Sequence, residues 1–343
     1  MDGQILEKFK VGAKFKHYED DQRRNWLSGG SRPLLTCIWY PADSNIRASR
    51  QSIAIFRTGY YKNDAPISDA RPKFPLVVVS HGTGGSSASM AWICTRLASA
   101  GFIVASVNHH GNTGVESRLL LEGFMLCWER AADIRLVVDN VLADKDFGPH
   151  IDENRIGIAG FSMGGYTALA AVGAQLEIER WQPYCAVHPT DPICTLPPEA
   201  KFETREVWDA IESNTTVRES WSRANLSYRD ARLKCAFVLA PVAGPILGVD
   251  SLKAIRVPVS LTVGEADDQS VPEQNALAFS KSIPDSSLEI LPGVGHYTFL
   301  SEGTWKGRFV APILFRDPKG IRRREIHEYV GAKAVKFFEE SMG

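Results

Sequence analysis

The chain has 343 residues, 44% hydrophobic and 23% charged, which is enough apolar material for a large core and too much for a disordered chain. Its 39 lysines and arginines nearly balance 40 aspartates and glutamates, and the net charge of −1 excludes both the basic footprint of a nucleic-acid binder and a polybasic membrane anchor. Six cysteines with no C-x-x-C pair exclude a disulfide scaffold and supply no metal-binding pattern.

The N-terminus, Met-Asp-Gly-Gln-Ile-Leu-Glu-Lys-Phe-Lys, lacks the apolar core of a signal peptide, so the chain reads as cytoplasmic, or as periplasmic or secreted if a leader has been removed. From Lys8 to Arg32, charges and aromatics mix without periodicity, an irregular lead-in with at most one edge strand. Leu34 to Tyr40 has strand composition, and Pro41 is expected to stop it. Ala42 to Pro75 reads as loop with a hairpin remnant around Ile53 to Arg57. Leu76 to Ser80 is a continuous apolar run, the mark of a central strand covered on both faces, and it opens into His81-Gly-Thr-Gly-Gly85. A helix follows from Ser89 to Ala100, ended by Gly101, then a buried strand from Phe102 to Val107 and the polar loop Asn108-His-His-Gly111. Between Glu129 and Leu142 the residues Ile134, Val137, Val138, Val141 and Leu142 form one apolar helix face, with Asp133, Asp139 and Asn140 on the other.

The next unit is the most informative. A strand from Ile156 to Ala159 runs into Gly160-Phe-Ser-Met-Gly164 and then into an Ala-rich helix. Glycines at 160 and 164 remove the side chains that would collide at a forced strand-to-helix turn, and Ser162 then stands at the amino end of a helix, where the dipole and free N–H groups favour developing negative charge. Residues 173–234 break the strand–helix rhythm with Pro183, Pro189, Pro192, Pro197 and Pro198 and a polar helical patch from Glu206 to Trp221; this segment reads as an inserted cap over the functional edge. Cys185 and Cys194 flank its Pro-rich loop and would bridge in an exported protein, whereas Cys37, Cys94, Cys127 and Cys235 sit among apolar neighbours as core residues. The apolar stretch from Cys235 to Val249 is broken by Pro241, Gly244 and Pro245 and is too short to span a membrane. Strands at Cys235 to Leu239, Val259 to Val263 and Leu288 to Leu291, a helix from Glu273 to Ser282 and a last helix from Arg323 to Glu340 complete the chain. The reading is one α/β domain over residues 1–343, with a mainly parallel sheet, helices on both faces and an inserted cap.

A serine hydroxyl needs a base, and that base needs a carboxylate to hold it. Gly264-Glu-Ala-Asp-Asp268 follows one core strand and Gly293-Val-Gly-His296 follows the last, so Ser162, Asp267 and His296 occur in the order nucleophile, acid, base expected of an α/β-hydrolase. Asp268 is the alternative acid, Glu265 is expected to point elsewhere, and His81 is assigned to the glycine turn. The oxyanion hole is expected from the backbone N–H groups of Met163 and Thr83. Trp92, Phe161 and Tyr297 are expected to line the substrate site.

Pro75 to Gly85, Gly160 to Leu169, Ser251 to Pro258 and Leu291 to Leu300 resemble the bacterial predicted dienelactone hydrolases, a group related to platelet-activating-factor acetylhydrolases. The likeness runs from Trp39-Tyr-Pro41 to Asp317-Pro-Lys-Gly320 and the last helix. It implies an α/β-hydrolase fold, a serine nucleophile, no metal or other cofactor, and esters of short acyl groups or lactones as substrates. Dienelactone hydrolases proper carry a cysteine where this chain has Ser162, and the loop after Asp267 is about one residue longer before Val271-Pro272 than in many relatives. The expected activity is that of a carboxylic ester hydrolase acting on a small-molecule ester. An amidase, thioesterase or acyltransferase would use the same groups, and a hydrolase-fold receptor would keep the pocket without the chemistry.

Overall fold

The computed structural model describes residues 9–195, 202 and 204–343; Pro197 and Pro198 of the expected cap lie outside them. Ten strands are described: β1 (Lys10–Arg24), β2 (Ser31–Ala42), β3 (Ser49–Ile53), β4 (Phe56–Asn63), β5 (Phe74–Ser80), β6 (Ile103–Val107), β7 (Ile151–Phe161), β8 (Leu233–Leu239), β9 (Val259–Gly264) and β10 (Ser286–Leu291). The helices are α1 (Ala91–Ala100), α2 (Leu121–Met125), α3 (Glu129–Ala143), α4 (Met163–Val172), α5 (Trp181–Val187), α6 (Thr204–Ser213), α7 (Thr215–Trp221), α8 (Val249–Lys253), α9 (Ala276–Ser282), α10 (Trp305–Val310), α11 (Pro312–Phe315) and α12 (Arg323–Met342). None of the described helices is long and apolar enough to cross a membrane.

The sheet runs β10-β9-β8-β7-β5-β6-β2-β1-β4-β3. From β10 to β6 every neighbouring pair is parallel, with Val77 opposite Gly157 on one side and Val104 on the other. β2 joins antiparallel to β6, and β1 antiparallel to β2. Alternation along β5 shows why such a run must be apolar throughout. Leu76 and Val78 pack into the core shared with Ile134, Val138 and Leu169 of α3 and α4, while Val77 and Val79 pack into the opposite core with Ile93, Leu97, Val330 and Phe338 of α1 and α12. Burying each such side chain stabilises the fold by about 1.5–3 kcal/mol, and covering both faces favours apolar residues along the strand up to its last position, Ser80.

Three expectations need correction. The lead-in is not irregular: β1 is fifteen residues long and lies inside the sheet between β2 and β4. Pro41 does not end β2, because it sits opposite Val11 one residue before the strand finishes. Asp133 is not on a solvated helix face but fully buried.

Residues 173–234 leave the sheet after α4 and return at β8, carrying α5, α6 and α7. Cys185 and Cys194 are joined by a disulfide, which closes a short loop after α5. The Trp181 indole N–H donates to Ile193 O at 3.1 Å and the Tyr184 hydroxyl to Asp191 at 2.8 Å, tying that loop to the helix before it.

Candidate active site

β7 ends just before Ser162, whose φ of 57° and ψ of −119° put a non-glycine residue in the sterically disfavoured positive-φ half of backbone space. The neighbours hold it there. Ser162 N–H donates to Leu239 O of β8 at 2.9 Å, and Ser162 O accepts from Gly165 N–H at 2.8 Å as α4 begins. A Cβ on Gly160 would collide with the Gly164 carbonyl, and one on Gly164 with the Ser80 carbonyl, so both glycines are required by close backbone approach.

Asp267 and His296 lie on the loops that leave β9 and β10. Asp267 Oδ1 accepts from the N–H groups of Gln269 at 3.0 Å and Ser270 at 2.6 Å, which fixes the carboxylate and leaves Oδ2 for His296. His296 Nδ1 lies 2.8 Å from Asp267 Oδ2, and His296 Nε2 lies 3.0 Å from Ser162 Oγ. A carboxylate only accepts, so Nδ1 carries the proton, and Nε2 is left to accept from the serine hydroxyl. All three residues are buried, while Asp268 is exposed and Glu265 is turned away to accept from Gly293 N–H.

Facing Ser162 is the turn after β5. Gly85 N–H is spent on Gly82 O and Gly84 N–H on Asn112 Oδ1. Among the described residues, the N–H groups of Thr83 and Met163 make no bond to another protein group, and both residues line the same cavity as Ser162. That cavity measures about 450 Å³ and is mostly apolar. Phe161 and Tyr297 line it and flank the imidazole, with ring centres 4.8 and 5.4 Å from that of His296. The segment 173–234 contributes Ile178, Trp181, Ile193, Val207 and Trp221 to the wall.

Trp92 does not reach the cavity. It stacks on His327 of α12 at 4.1 Å and donates its indole N–H to Phe299 O at 2.7 Å. Its place is behind His296, where it fastens the turn His296–Phe299 to α1 and α12. His327 Nε2 donates to Thr298 O of the same turn, and burial lowers its pKa to about 3.

Sequence reasoning missed a buried polar network beneath the turn after β5. Asp133 receives Arg32 through two bonds, at 2.8 and 3.1 Å, and His109 Nδ1 at 2.9 Å; His109 Nε2 lies 2.9 Å from Ser80 Oγ. Arg130, one helical turn before Asp133, donates to His81 O and to Thr167 Oγ1, and Thr167 donates in turn to Met163 O. Arg130 thus connects the two backbone segments that carry Thr83 and Met163. Burial, then the nearby Arg130, lowers the His109 pKa to about 3, so the ring is neutral. Burial would raise the Asp133 carboxyl, but Arg32 and Arg23 overcome it and hold the pKa well below the usual range. The one legible signal was the i, i+3 spacing of Arg130 and Asp133, which puts both on one side of α3.

The chain's fold agrees over nearly its whole length with a solved ferulic acid esterase from Streptomyces cinnamoneus, at a TM-score of 0.64 and 20% identity, covering 99% of this chain and 92% of that one. A stretch of 100 residues is 31% identical to Lipase 1 of Moraxella sp. (strain TA144); it spans 29% of this chain and only 28% of that lipase. Residues 76–305, from β5 through the turn that carries His296, match the alpha/beta hydrolase family, and the chain belongs to that family.

Proposed function

We propose that the protein is a serine hydrolase of carboxylic esters that works through an acyl-enzyme. The observation that carries this reading is the continuous relay from Ser162 Oγ to His296 Nε2 to Asp267 Oδ2, at 3.0 and 2.8 Å, opening on an apolar cavity. In the first half-reaction His296 Nε2 takes the Ser162 proton as Oγ bonds to the ester carbonyl carbon, and the carbonyl oxygen becomes an oxyanion held by the N–H groups of Met163 and Thr83. The imidazolium, held by Asp267, gives that proton to the departing alkoxide. Water, deprotonated by the same imidazole, then releases the acid and restores Ser162.

The cavity volume falls in the range of small-molecule sites. Phe161 and Tyr297 crowd the reacting carbon, which favours a compact acyl group such as acetyl or butyryl. Segment 173–234 acts as the cap, with Trp181 and Trp221 against the bulkier apolar part of the ester. The esterase and lipase named above are in keeping with ester chemistry, and the motifs around Ser162 and His296 support a place in the dienelactone hydrolase-like group despite its usual cysteine.

Ser162→Ala should abolish turnover of p-nitrophenyl acetate with an unchanged circular dichroism spectrum, and a fluorophosphonate should label the wild type alone. Labelling that survives in Ser162→Ala would defeat the assignment. Hydrolysis of the matching anilide at a comparable rate would move the reading to an amidase.

A further inference from the structure

α10 and α11 are fastened to the body on one side and bare on the other. On the inner side Thr304 N–H donates to Ile55 O at 2.9 Å, Phe315 packs edge-on against Phe56 with ring centres 5.5 Å apart, and Leu314 lines the cavity of Ser162. Gly307 is buried against the Ile55 carbonyl, so close that no side chain fits there. On the outer side Trp305 is 80% exposed, Phe309 83%, Val310 56% and Ile313 62%. Trp305 and Phe309 are four residues apart on one helix and share a face. Large apolar side chains this bare, four within nine residues, mark this face as an interaction surface.

Charge selects the occupant. From Glu302 to Glu325 seven lysines and arginines stand against three acids. All three acids are engaged: Glu302 with Arg57, Asp317 with Arg323 and Glu325 with Arg322. Lys306, Arg308, Arg316 and Lys319 have no acidic partner among the described residues. The segment is therefore strongly positive in a chain whose net charge is −1. A second copy of this chain, packed about a two-fold axis, would set this basic stretch against itself. An anionic lipid surface answers both features: the bases meet headgroup charge, and tryptophan and phenylalanine enter the boundary between headgroups and acyl chains.

We propose that the outer face of α10 and α11 docks the protein on an anionic phospholipid surface, bringing the cavity wall at Leu314 beside the lipid. The test uses the whole protein with vesicles of phosphatidylcholine, alone or with about one-third phosphatidylglycerol, read by co-sedimentation. The wild type should pellet with the anionic vesicles, less with the neutral ones, and release as salt rises. W305S/F309S should lower the partition coefficient about tenfold or more, since two interfacial aromatics are lost. K306E/R308E should remove the preference for anionic vesicles. Both variants should keep the wild-type circular dichroism spectrum and turn over a water-soluble ester within about twofold of wild type, because neither pair lines the cavity. If W305S/F309S fails to fold, K306E/R308E decides the matter by the same measurement. Wild type that stays in solution with every vesicle overturns the proposal, as does variant binding equal to wild type. A wild-type dimer in analytical ultracentrifugation that W305S/F309S dissociates would assign the face to a second copy instead. None of these readouts depends on the reaction at Ser162, so the esterase reading and the docking surface fail separately.

Discussion

Asp267 Oδ2 accepts the proton-bearing nitrogen of His296, and its other oxygen is committed to two backbone N–H groups. An asparagine there would present an amide N–H to Nδ1 and favour the other imidazole tautomer, leaving Nε2 protonated and unable to accept from Ser162. Asp267→Asn should therefore cut kcat by roughly 10⁴-fold with little change in KM, whereas Asp268→Asn, at an exposed position, should stay within about twofold. Steady-state kinetics on a p-nitrophenyl ester tests this, and the reverse pattern would reassign the acid. Ser162 and His296 were legible because glycines, a strand and a helix leave little choice of geometry around them. The choice between Asp267 and Asp268 was not, since it depends on how Gln269 and Ser270 turn their N–H groups back to one carboxylate. Asp133 was misread because apolar periodicity marks the helix face packed on the sheet but cannot show that Arg32, from β2, also reaches the helix and buries its acid.

At the scale of elements, the parallel strands were readable because burial on both faces forces continuous apolar runs. β1 was not. Of its half-buried positions, Lys14, Lys16 and Tyr18 bond to Asp144 and Asp146 at 2.7–3.0 Å, and Arg23 pairs with Asp20 and Glu129. A strand whose inward face is ionic carries no hydrophobic alternation to find. The insertion invites a different experiment. Its disulfide spans nine residues of sequence, and Pro192 and Ile193 of the closed loop belong to the cavity wall. Closing so short a loop restricts the unfolded chain by about 3 kcal/mol in the chain-entropy account. Cys185→Ser/Cys194→Ser should loosen that wall, raising KM for a bulky apolar ester several-fold while kcat/KM for p-nitrophenyl acetate changes by less than about twofold. Equal effects on both substrates would remove the insertion from substrate binding.

For the molecule as a whole, three imidazoles are locked away neutral: His81, His109 and His327, the last two with pKa values of about 3, all held down first by burial. In the unfolded chain each takes up a proton below about pH 6.5, while the folded protein does not. The unfolded state then binds more protons, so stability is unaffected above this range and falls as pH drops from about 6.5 toward 3, each residue adding a slope of up to about 1.4 kcal/mol per pH unit. Asp133 acts in the same direction at the acid end, since its depressed pKa gives stability that is lost as the solution approaches that value. Urea denaturation at pH 7, 6 and 5 should show this decline, and His327→Gln should flatten it by one proton's worth. An unaltered slope in His327→Gln would mean that its ring is protonated in the folded state.

The relay and the cavity wall are made of different material. Ser162, Asp267 and His296 are mounted at the ends of β7, β9 and β10, in one parallel ladder, whereas the surface facing them is assembled from the β3–β4 hairpin, residues 173–234 and α11. For an engineer this is a fixed tool with an exchangeable socket. Sections of the wall can be grafted from other chains of this family, or randomised in a library, while the strands that aim the serine keep their register.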